Sequence, residues 1–472
     1  MKNSIVRLES IEIRNFKNVK YGRMTFENNR KEYQSSILGL YGQNGSGKTA
    51  LIDALSLLKS VLTMKSIPLT FADYVHVDAD YSALKYEFKV TDDEPEGEYV
   101  AYYEFKLCKN KKETFENKEY ISDDSEKNKA LIFDEVLSYS YKSNDLKMKL
   151  LPIIDTRTDE VFIPATKYES LVGKEKATET NLLVAKKYAA ETSRSFIFSK
   201  ELLNAIRKNC KEHYHSALFN RLFYFGAYEL FIINTANSGL ITLNTLPLAF
   251  KYADKEKGKS TIGNLMIQLN GSSLIPMETL DVVCKVIENM NVVLKQIVPG
   301  LTIGVVNLGN ELFPDGKRGS KIQLVSCKNN REIPLQYESE GIKKIISILQ
   351  LLIVVYNKAS ITVAIDEIDS GVFEYLLGEL LRIISEKGKG QLIFTSHNLR
   401  PLETLDRGFI AFTTTNPDNR YIRLSNVKTN NNLRDFYYRD IVLGEQSEEI
   451  YEPTNNYEIA FAFREAGEWH GS

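Results

Sequence analysis

The chain has 472 residues, of which 43% are hydrophobic and 26% are charged. This composition is typical of a folded protein with a large core, and it excludes a chain that is disordered throughout. Sixty basic and 62 acidic residues give a formal charge of −2. Any contact with nucleic acid therefore requires a local basic patch, because there is no global positive field.

The four cysteines lie far apart, without a CxxC pair or the spacing of a metal site. We interpret them as small buried side chains in a reducing compartment. The N-terminus has no apolar run long enough for a signal peptide, and the longest apolar stretch, Ile345–Tyr356, is too short to cross a bilayer. These features predict a cytoplasmic protein that does not contact a membrane.

The first part of the chain predicts a strand, a glycine-rich loop and a helix, followed by an antiparallel meander. Alternating and continuous apolar patterns predict strands over Arg7–Arg14 and Ser36–Tyr41, and helical spacing predicts a helix over Thr49–Leu62. Segments rich in tyrosine and phenylalanine predict the strands of the meander. These are Ser82–Val90, Glu98–Cys108 and Ala130–Tyr141.

From Asp155 to Asn291 the pattern is mostly helical. The clearest predicted helices are Asn181–Ala190, Ser199–His215 and Leu280–Gln296. Strands and helices then alternate, which indicates a parallel sheet. The predicted order is Leu301–Leu308, Lys321–Cys327, helix Gly341–Lys358, strand Ile361–Ile365, helix Val372–Lys387 and strand Gln391–Thr395. Two short strands and a helix near Tyr457–Ala466 follow.

The first motif is Gly42-Gln-Asn-Gly-Ser-Gly-Lys48-Thr49, which matches the P-loop pattern G-x-x-x-x-G-K-[ST] between a predicted strand and a predicted helix. Backbone N–H groups of such a loop bind nucleotide phosphates. Lys48 is expected to reach the β- and γ-phosphates, and Thr49 to bind Mg²⁺. The predicted ATP contacts are Gly42, Asn44, Gly45, Ser46, Gly47, Lys48 and Thr49.

The second motif ends a buried strand at Asp366 and Glu367, as in a Walker B motif. We expect Asp366 to hold Mg²⁺ and Glu367 to orient or deprotonate the attacking water. The next strand ends at His397, which is expected to sense the γ-phosphate and to stabilise developing charge. Most of the chain separates this motif from the P-loop. A large insertion therefore interrupts the nucleotide-binding domain.

A serine and a glycine, Ser339 and Gly341, open the helix before the Walker B strand. A helix N-terminus is an anion site, and a second phosphate site beside the P-loop suggests one that reaches a partner subunit. Ser339 is also a good helix cap. The residues in isolation favour the cap over a second phosphate site.

The order of these motifs resembles that of the ABC-type ATPases of the SMC and RecF group. The opening Ile11-Glu-Ile-Arg-Asn15-Phe16-Lys17 is similar to the first strand of that group, and the Ser339 and Asp366 segments look most like those of bacterial OLD-like ATPases and their AAA-type relatives, many of which serve in phage defence. The resemblance implies nucleotide contacts from Asn15 and Phe16, a signature motif at Ser339 and Gly341 that acts in trans, a D-loop at Asp369 and a switch histidine at His397.

Two features depart from that pattern. No glutamine occurs from Ala50 to Ile267, so the usual Q-loop glutamine is missing, and His76 or Asn204 are candidates for its place. Glu340 stands where the signature usually has glycine. Both departures fit slow or activator-dependent turnover. The 75 residues after His397 contain no Asp-x-Asp triplet, so we expect no nuclease domain of the OLD type.

The predicted fold is an α/β, ABC-type P-loop domain with an antiparallel β subdomain and a mostly helical insertion. Its predicted parts are residues 1–150, 151–297 and 298–472. The predicted function is a Mg²⁺-dependent ATPase acting as a switch, as a homodimer or higher oligomer with ATP between subunits. The resemblance implies a phage-defence role with a separate effector, a nuclease or toxin. The alternative is a RecF-like, DNA-binding repair ATPase, which needs a basic surface around Lys109–Lys112, Lys174–Lys187 or Lys251–Lys259.

Overall fold

The computed structural model describes residues 4–26, 35–93, 96–109, 129–234, 245–254, 259–328, 331–424, 432–444 and 446–468. The first half contains eight strands and five α-helices in these ranges. The strands are β1 (Ile5–Phe16), β2 (Val19–Thr25), β3 (Ser36–Tyr41), β4 (Tyr81–Asp93), β5 (Glu96–Lys109), β6 (Ala130–Ser143), β7 (Lys147–Asp155) and β8 (Leu230–Ile233). The helices are α1 (Lys48–Leu62), α2 (Ala165–Val172), α3 (Lys176–Glu191), α4 (Lys200–Asn209) and α5 (His213–Tyr224).

The second half of the described chain adds ten strands and six helices. The strands are β9 (Thr245–Asp254), β10 (Lys259–Gln268), β11 (Ser272–Pro276), β12 (Thr302–Leu312), β13 (Arg318–Lys328), β14 (Arg331–Pro334), β15 (Thr362–Ile365), β16 (Gln391–Thr395), β17 (Ile410–Thr413) and β18 (Tyr421–Ile422). The helices are α6 (Leu280–Ile297), α7 (Glu340–Asn357), α8 (Glu374–Lys387), α9 (Arg400–Thr404), α10 (Leu433–Leu443) and α11 (Asn456–Glu468).

Two six-stranded sheets enclose α1. The antiparallel sheet has the order β2-β1-β4-β5-β6-β7, and the core sheet has the order β18-β17-β3-β16-β15-β8. In the core sheet β17, β3, β16, β15 and β8 are parallel. Residues of both sheets join α1 in one hydrophobic cluster, which explains why nearly every side chain of this helix is buried. The predicted fold class, an α/β domain with an antiparallel β subdomain, is confirmed.

A second hydrophobic cluster lies on the other face of the core sheet. It joins that sheet to α6, α7 and α8 and to the smaller sheet formed by β11, β13 and β12. Helix α7 is apolar along most of its length, and most of its side chains are buried. This packing fixes the position of Ser339, which directly precedes α7.

The prediction that residues 155–291 are mostly helical is wrong for the second half of this segment. Four helices are followed by β8, β9, β10 and β11. The apolar run Leu230–Ile233 is the edge strand of the core sheet, paired with β15. It is buried on both faces because a hydrophobic cluster covers each face of that sheet. The middle segment therefore contributes to the nucleotide-binding core, and the boundaries at 150 and 297 stay a prediction.

Three further details differ from the prediction. The helix expected over Ser199–His215 is two helices, because Cys210 has an extended backbone that ends α4. Strands β2, β7 and β14 and helices α9 and α10 were not predicted. The four cysteines are free and partly exposed rather than buried. None of the described helices combines the length and the apolar character that a membrane crossing requires.

Candidate nucleotide-binding site

Four neighbouring strands of the core sheet end at the same edge of that sheet. Because β3, β16, β15 and β8 are parallel, the residues that follow them meet there. These residues are the P-loop after β3, His397 after β16, Asp366 after β15 and Asn234 after β8. Ligands of open parallel sheets bind at this edge. The topology thus brings both predicted motifs and the predicted histidine together.

The P-loop lies directly before α1 and has the backbone of an anion cradle. Gly45 and Gly47 have φ angles of 76° and 97°, which glycine adopts without steric cost. Asn44 and Gly45 are exposed, and the first turn of α1 has no acidic residue. No carboxylate of the helix's own first turn therefore competes for this helix end, and its N–H groups fit a phosphate.

Lys48 is held inside the loop that it follows. Its Nζ donates to the carbonyl oxygens of Gly42, at 2.8 Å, and Gln43, at 3.0 Å. The side chain is buried, and burial lowers the pKa of Lys48, while the nearby carboxylates of Asp366 and Glu367 oppose that shift. A buried ammonium group with only two carbonyl partners retains a donor for a phosphate oxygen.

Thr49 and Asp366 meet across the site, as the two motifs predict for a cation site. Thr49 Oγ1 lies 3.2 Å from Asp366 Oδ2, and Thr395 Oγ1 donates to Asp366 Oδ1 at 2.6 Å. Asp366 is almost fully buried. A hydroxyl and a carboxylate oxygen at this separation are suitable ligands for Mg²⁺, so the residues present fit that ion.

Glu367 adopts a strained backbone conformation beside Asp366. Its φ angle is 47°, in the left-handed region that side chains other than glycine rarely occupy. The backbone N–H of Glu367 donates to Thr395 Oγ1 at 2.7 Å, and its carbonyl oxygen accepts from Lys344 Nζ at 3.3 Å. Strained residues of this kind persist where surrounding contacts fix them, and they cluster at active sites.

Asp369 fixes the loop that carries His397. Asp369 Oδ2 accepts from the backbone N–H groups of His397, at 3.1 Å, and Asn398, at 3.0 Å. The imidazole of His397 is exposed at the strand end. Asp369 Oδ1 is buried without a hydrogen-bond partner among the described residues. The predicted D-loop residue and the loop of the predicted switch histidine are therefore directly connected within one chain.

Ser339 is the cap of α7, and its hydroxyl is exposed. Ser339 Oγ accepts from the backbone N–H of Ile342 at 3.4 Å, so the capping interpretation is confirmed. Gly341 packs on the backbone of the D-loop, since a side chain at this position would collide with the carbonyl oxygen of Gly371. Glu340, the residue that departs from the signature pattern, points to solvent and pairs with Lys343 at 2.6 Å. This ion pair offsets the negative charge of Glu340.

The first-strand residues have different environments. Asn15 has a φ angle of 53°, and its carbonyl oxygen accepts from the backbone N–H of His76 at 2.9 Å. Phe16 is fully buried and packs edge-on against Tyr74, with ring centroids 5.7 Å apart. Packing thus accounts for Phe16, which does not present its ring to a ligand. The role of Asn15 stays a prediction.

Two residues at this edge were not predicted, Lys344 and Asn234. Lys344 is a buried lysine on the apolar helix α7. The sequence signal that could have indicated it is the adjacent pair Lys343 and Lys344 in an otherwise apolar helix. Asn234 follows β8, is buried, and donates from Nδ2 to Asp53 Oδ1 at 2.6 Å. Asp53 also pairs with Lys17. The signal for Asn234 was a polar residue at the end of an apolar run.

Neither predicted substitute for the missing glutamine is at the end of a core-sheet strand. His76 precedes β4, and its Nδ1 accepts from the backbone N–H of Asp78 at 3.2 Å. Asn204 is exposed on α4. Asn234, in contrast, directly follows β8, the strand beside Asp366. The backbone N–H of Asp366 donates to the carbonyl oxygen of Ile233, the last residue of that strand, at 2.8 Å.

Residues 7–400 match the model of a family described as the AAA ATPase domain. Because this match spans most of the chain, the protein belongs to that family, and it is an ATPase. The predicted kinship with AAA-type ATPases is thereby confirmed. No curated protein matches the chain.

Solved structures of SMC heads and of RecF are similar to this chain. The SMC head domain from Thermotoga maritima is 12% identical, covers 89% of this chain and 99% of its own, and gives a TM-score of 0.34. RecF with ATP is 14% identical, covers 89% of this chain and 100% of its own, and gives a TM-score of 0.36. The Smc head from Pyrococcus furiosus, bound to the C-terminal domain of ScpA, is 12% identical. It covers 89% of this chain and 97% of its own and gives a TM-score of 0.39.

Lys344→Met is expected to lower turnover without lowering stability at pH 7. Turnover falls because the contact with the Glu367 carbonyl is lost. Stability is retained because burial lowers the pKa of Lys344 to about 8, so the folded chain binds this proton less tightly than the unfolded chain, whose lysine pKa is about 10.4. The wild type gains stability as the pH rises between these values, and the variant does not.

The measurement is the ATPase rate together with Tm at pH 7 and pH 9. We expect the Tm of Lys344→Met to equal or exceed that of the wild type at pH 7. At pH 9 we expect the Tm of the variant to be lower, relative to that of the wild type, than it is at pH 7. Lys358→Met, at the exposed end of α7, is the control and should leave turnover unchanged. A variant that turns over normally, or that loses Tm at pH 7, contradicts the prediction.

Proposed function

We propose that this ATPase is a molecular switch in which two copies enclose two ATP molecules. One observation carries the proposal: a single chain gathers the P-loop, Asp366, Glu367 and His397 at one edge, whereas the capped N-terminus of α7 at Ser339 is exposed to solvent. A helix N-terminus that presents N–H groups is complementary to phosphate. Each α7 then completes the site of the other copy.

In this proposal the P-loop and Lys48 bind the phosphates, and Thr49 and Asp366 hold Mg²⁺. When bound, Mg²⁺ neutralises charge on the phosphate oxygens. Glu367 orients the attacking water and accepts its proton. His397, on the loop fixed by Asp369, donates to the γ-phosphate.

We further propose that Asn234 replaces the missing glutamine. Its amide is beside Asp53 and one strand away from Asp366, so it can contact a water of the cation site. The amide side chain is one methylene shorter than that of glutamine, which fits a site where β8 ends directly beside β15. We expect Asn234→Ala to lower turnover about 10- to 100-fold, as for other groups in the outer shell of a cation site, with ATP affinity nearly unchanged. ATPase assays and nucleotide titration test this.

The finer biological role is the ATPase and sensor component of a phage-defence system that controls a separate effector, a nuclease or toxin. The resemblance to OLD-like ATPases supports this role. Among the described residues no cluster of three or more His, Cys, Asp or Glu side chains has the geometry of a metal site. An effector is identified by purifying Glu367→Gln from its native host with ATP and Mg²⁺. A stoichiometric protein that leaves with ATP supports the role, and DNA without a protein contradicts it.

The DNA-repair alternative depends on free basic side chains. Lys109 pairs with Asp73 at 2.8 Å, and Lys174 pairs with Glu169 at 2.8 Å. The remainder of the Lys109–Lys112 cluster, and the side chains of Lys251–Lys259, lie outside the described residues. A salt-sensitive shift of duplex DNA with ATP would favour the alternative.

The experiment that tests the switch is the mass of the Glu367→Gln variant by analytical ultracentrifugation. We expect a monomer without nucleotide and a dimer with ATP and Mg²⁺, because ATP that binds only the closed state stabilises that state. ADP is the control and should leave the monomer. A mass that ATP does not change contradicts the proposal.

A further inference from the structure

Helix α11 carries several large apolar side chains but has no buried face. All its described side chains, residues 456–467, are exposed. They include Tyr457, Phe461 and Phe463, which are 90%, 67% and 76% exposed. Large aromatic side chains grouped on one exposed helix are typical of a surface that binds another protein.

The start of α11 is tied to the P-loop. Gln43 Oε1 accepts from the backbone N–H of Glu452 at 3.0 Å, and Gln43 Nε2 donates to the carbonyl oxygen of Glu452 at 3.4 Å. Three residues later Asn455 caps α11 through the N–H of Tyr457 at 3.1 Å. Thr415 N–H also donates to Glu449 at 2.8 Å. This segment therefore places α11 at the edge of the chain where its own nucleotide binds.

A second group of exposed aromatic side chains flanks the signature and the D-loop. Tyr337 is two residues before Ser339, and Phe373 is two residues after Gly371, whose backbone contacts Gly341. Both rings are 72% exposed. We name Tyr337 and Phe373 the signature-side aromatics.

We propose that α11 of one copy packs on the signature-side aromatics of the second copy when ATP closes the dimer, an inference that rests on the proposed function. In that dimer the P-loop edge of each chain faces the signature of the other. Helix α11 lies at the P-loop edge, and the signature-side aromatics lie beside the signature. Two-fold symmetry therefore brings α11 of each chain to the signature-side aromatics of the other.

The second copy is the occupant because the two groups are at complementary positions. Gln43 ties the segment that precedes α11 to the P-loop, so the helix is presented where the partner's signature arrives. Burial of aromatic rings at both sites supplies apolar contact area next to the polar signature residues Ser339 and Glu340. Closure on ATP and burial of α11 are then one event.

The test compares ATP-dependent dimerisation in the Glu367→Gln background. We expect Phe461→Ser/Phe463→Ser, and separately Tyr337→Ser/Phe373→Ser, to raise the dimer Kd about tenfold or more. Both pairs are exposed, so the fold is retained. The control is Leu150→Ser/Leu151→Ser, two side chains of β7 that are 49% and 51% exposed. An unchanged dimer Kd in the Phe461/Phe463 variant overturns the inference. This holds even if the variant no longer binds some other protein, because α11 would then be a surface for that protein and not for the second copy.

A cross-link distinguishes direct contact from an indirect effect. Chains with Phe461→Cys are mixed with chains with Phe373→Cys and treated with a short bismaleimide, with the parent chain as the control for its free cysteines. We expect a cross-linked pair only in the mixture and only with ATP. Absence of that pair in an ATP-bound dimer overturns this inference alone, whereas absence of the dimer itself overturns the proposed function.

Discussion

Replacement of Glu367 by glutamine is expected to stop ATP hydrolysis while ATP binding continues. Glutamine has the shape of glutamate but cannot accept a proton from water. Loss of a general base lowers turnover by about 10²–10⁴-fold. The binding groups are unaffected, because Lys48 and Thr49 belong to the P-loop and α1. Phosphate release measured with saturating ATP, and affinity measured with a fluorescent ATP analogue, give the two quantities.

A matched control separates this effect from a general loss of carboxylate charge. Glu386→Gln changes an exposed glutamate of α8 that pairs with Arg382 at 3.1 Å, and it should hydrolyse ATP at the wild-type rate. The strained backbone of Glu367, with its positive φ angle, is formed by either side chain. A Glu367→Gln variant that turns over normally would remove Glu367 from the catalytic groups.

Replacement of Lys48 by alanine is expected to weaken ATP binding itself. The ammonium group is buried in the loop and donates to the carbonyl oxygens of Gly42 and Gln43. Hydrogen bonds to charged groups contribute about 1.5–3 kcal/mol each, so loss of one phosphate contact raises the Kd for ATP about 10- to 150-fold. Isothermal titration calorimetry with ATP and Mg²⁺ measures this directly.

The control for Lys48 is Lys65→Ala, which removes an exposed lysine just after α1. Its Kd should equal that of the wild type. Circular dichroism of both variants checks that the fold is retained. Lys48→Ala with wild-type affinity would show that the loop does not bind phosphate through this side chain.

The parts of the site that could be predicted are those encoded in short contiguous segments. The P-loop has eight adjacent residues between a strand and a helix, and the backbone of such a loop is fixed by its own glycines. Asp366 and His397 end apolar strands that are parallel, so their proximity followed from topology. The capping role of Ser339 followed from its place before a helix.

The residues that could not be predicted depend on contacts between distant segments. Leu230–Ile233 is a short apolar run that fits a helix or a strand, and its pairing with β15 is settled by tertiary packing. Asn234 reaches the site only through that pairing. Lys344 is buried because α7 packs against the core sheet, and periodicity alone places a lysine at a helix surface.

The most direct test of the central claim, that two copies share each ATP site, mixes two inactive variants. Lys48→Ala removes a P-loop and keeps the signature, whereas Ser339→Arg blocks the signature and keeps the P-loop. If sites are shared, half the dimers are mixed and each has one complete site, so the mixture regains roughly a quarter of the wild-type ATPase rate. If each chain hydrolyses ATP alone, either Ser339→Arg is active by itself or the mixture stays as inactive as its components, and either result contradicts the account.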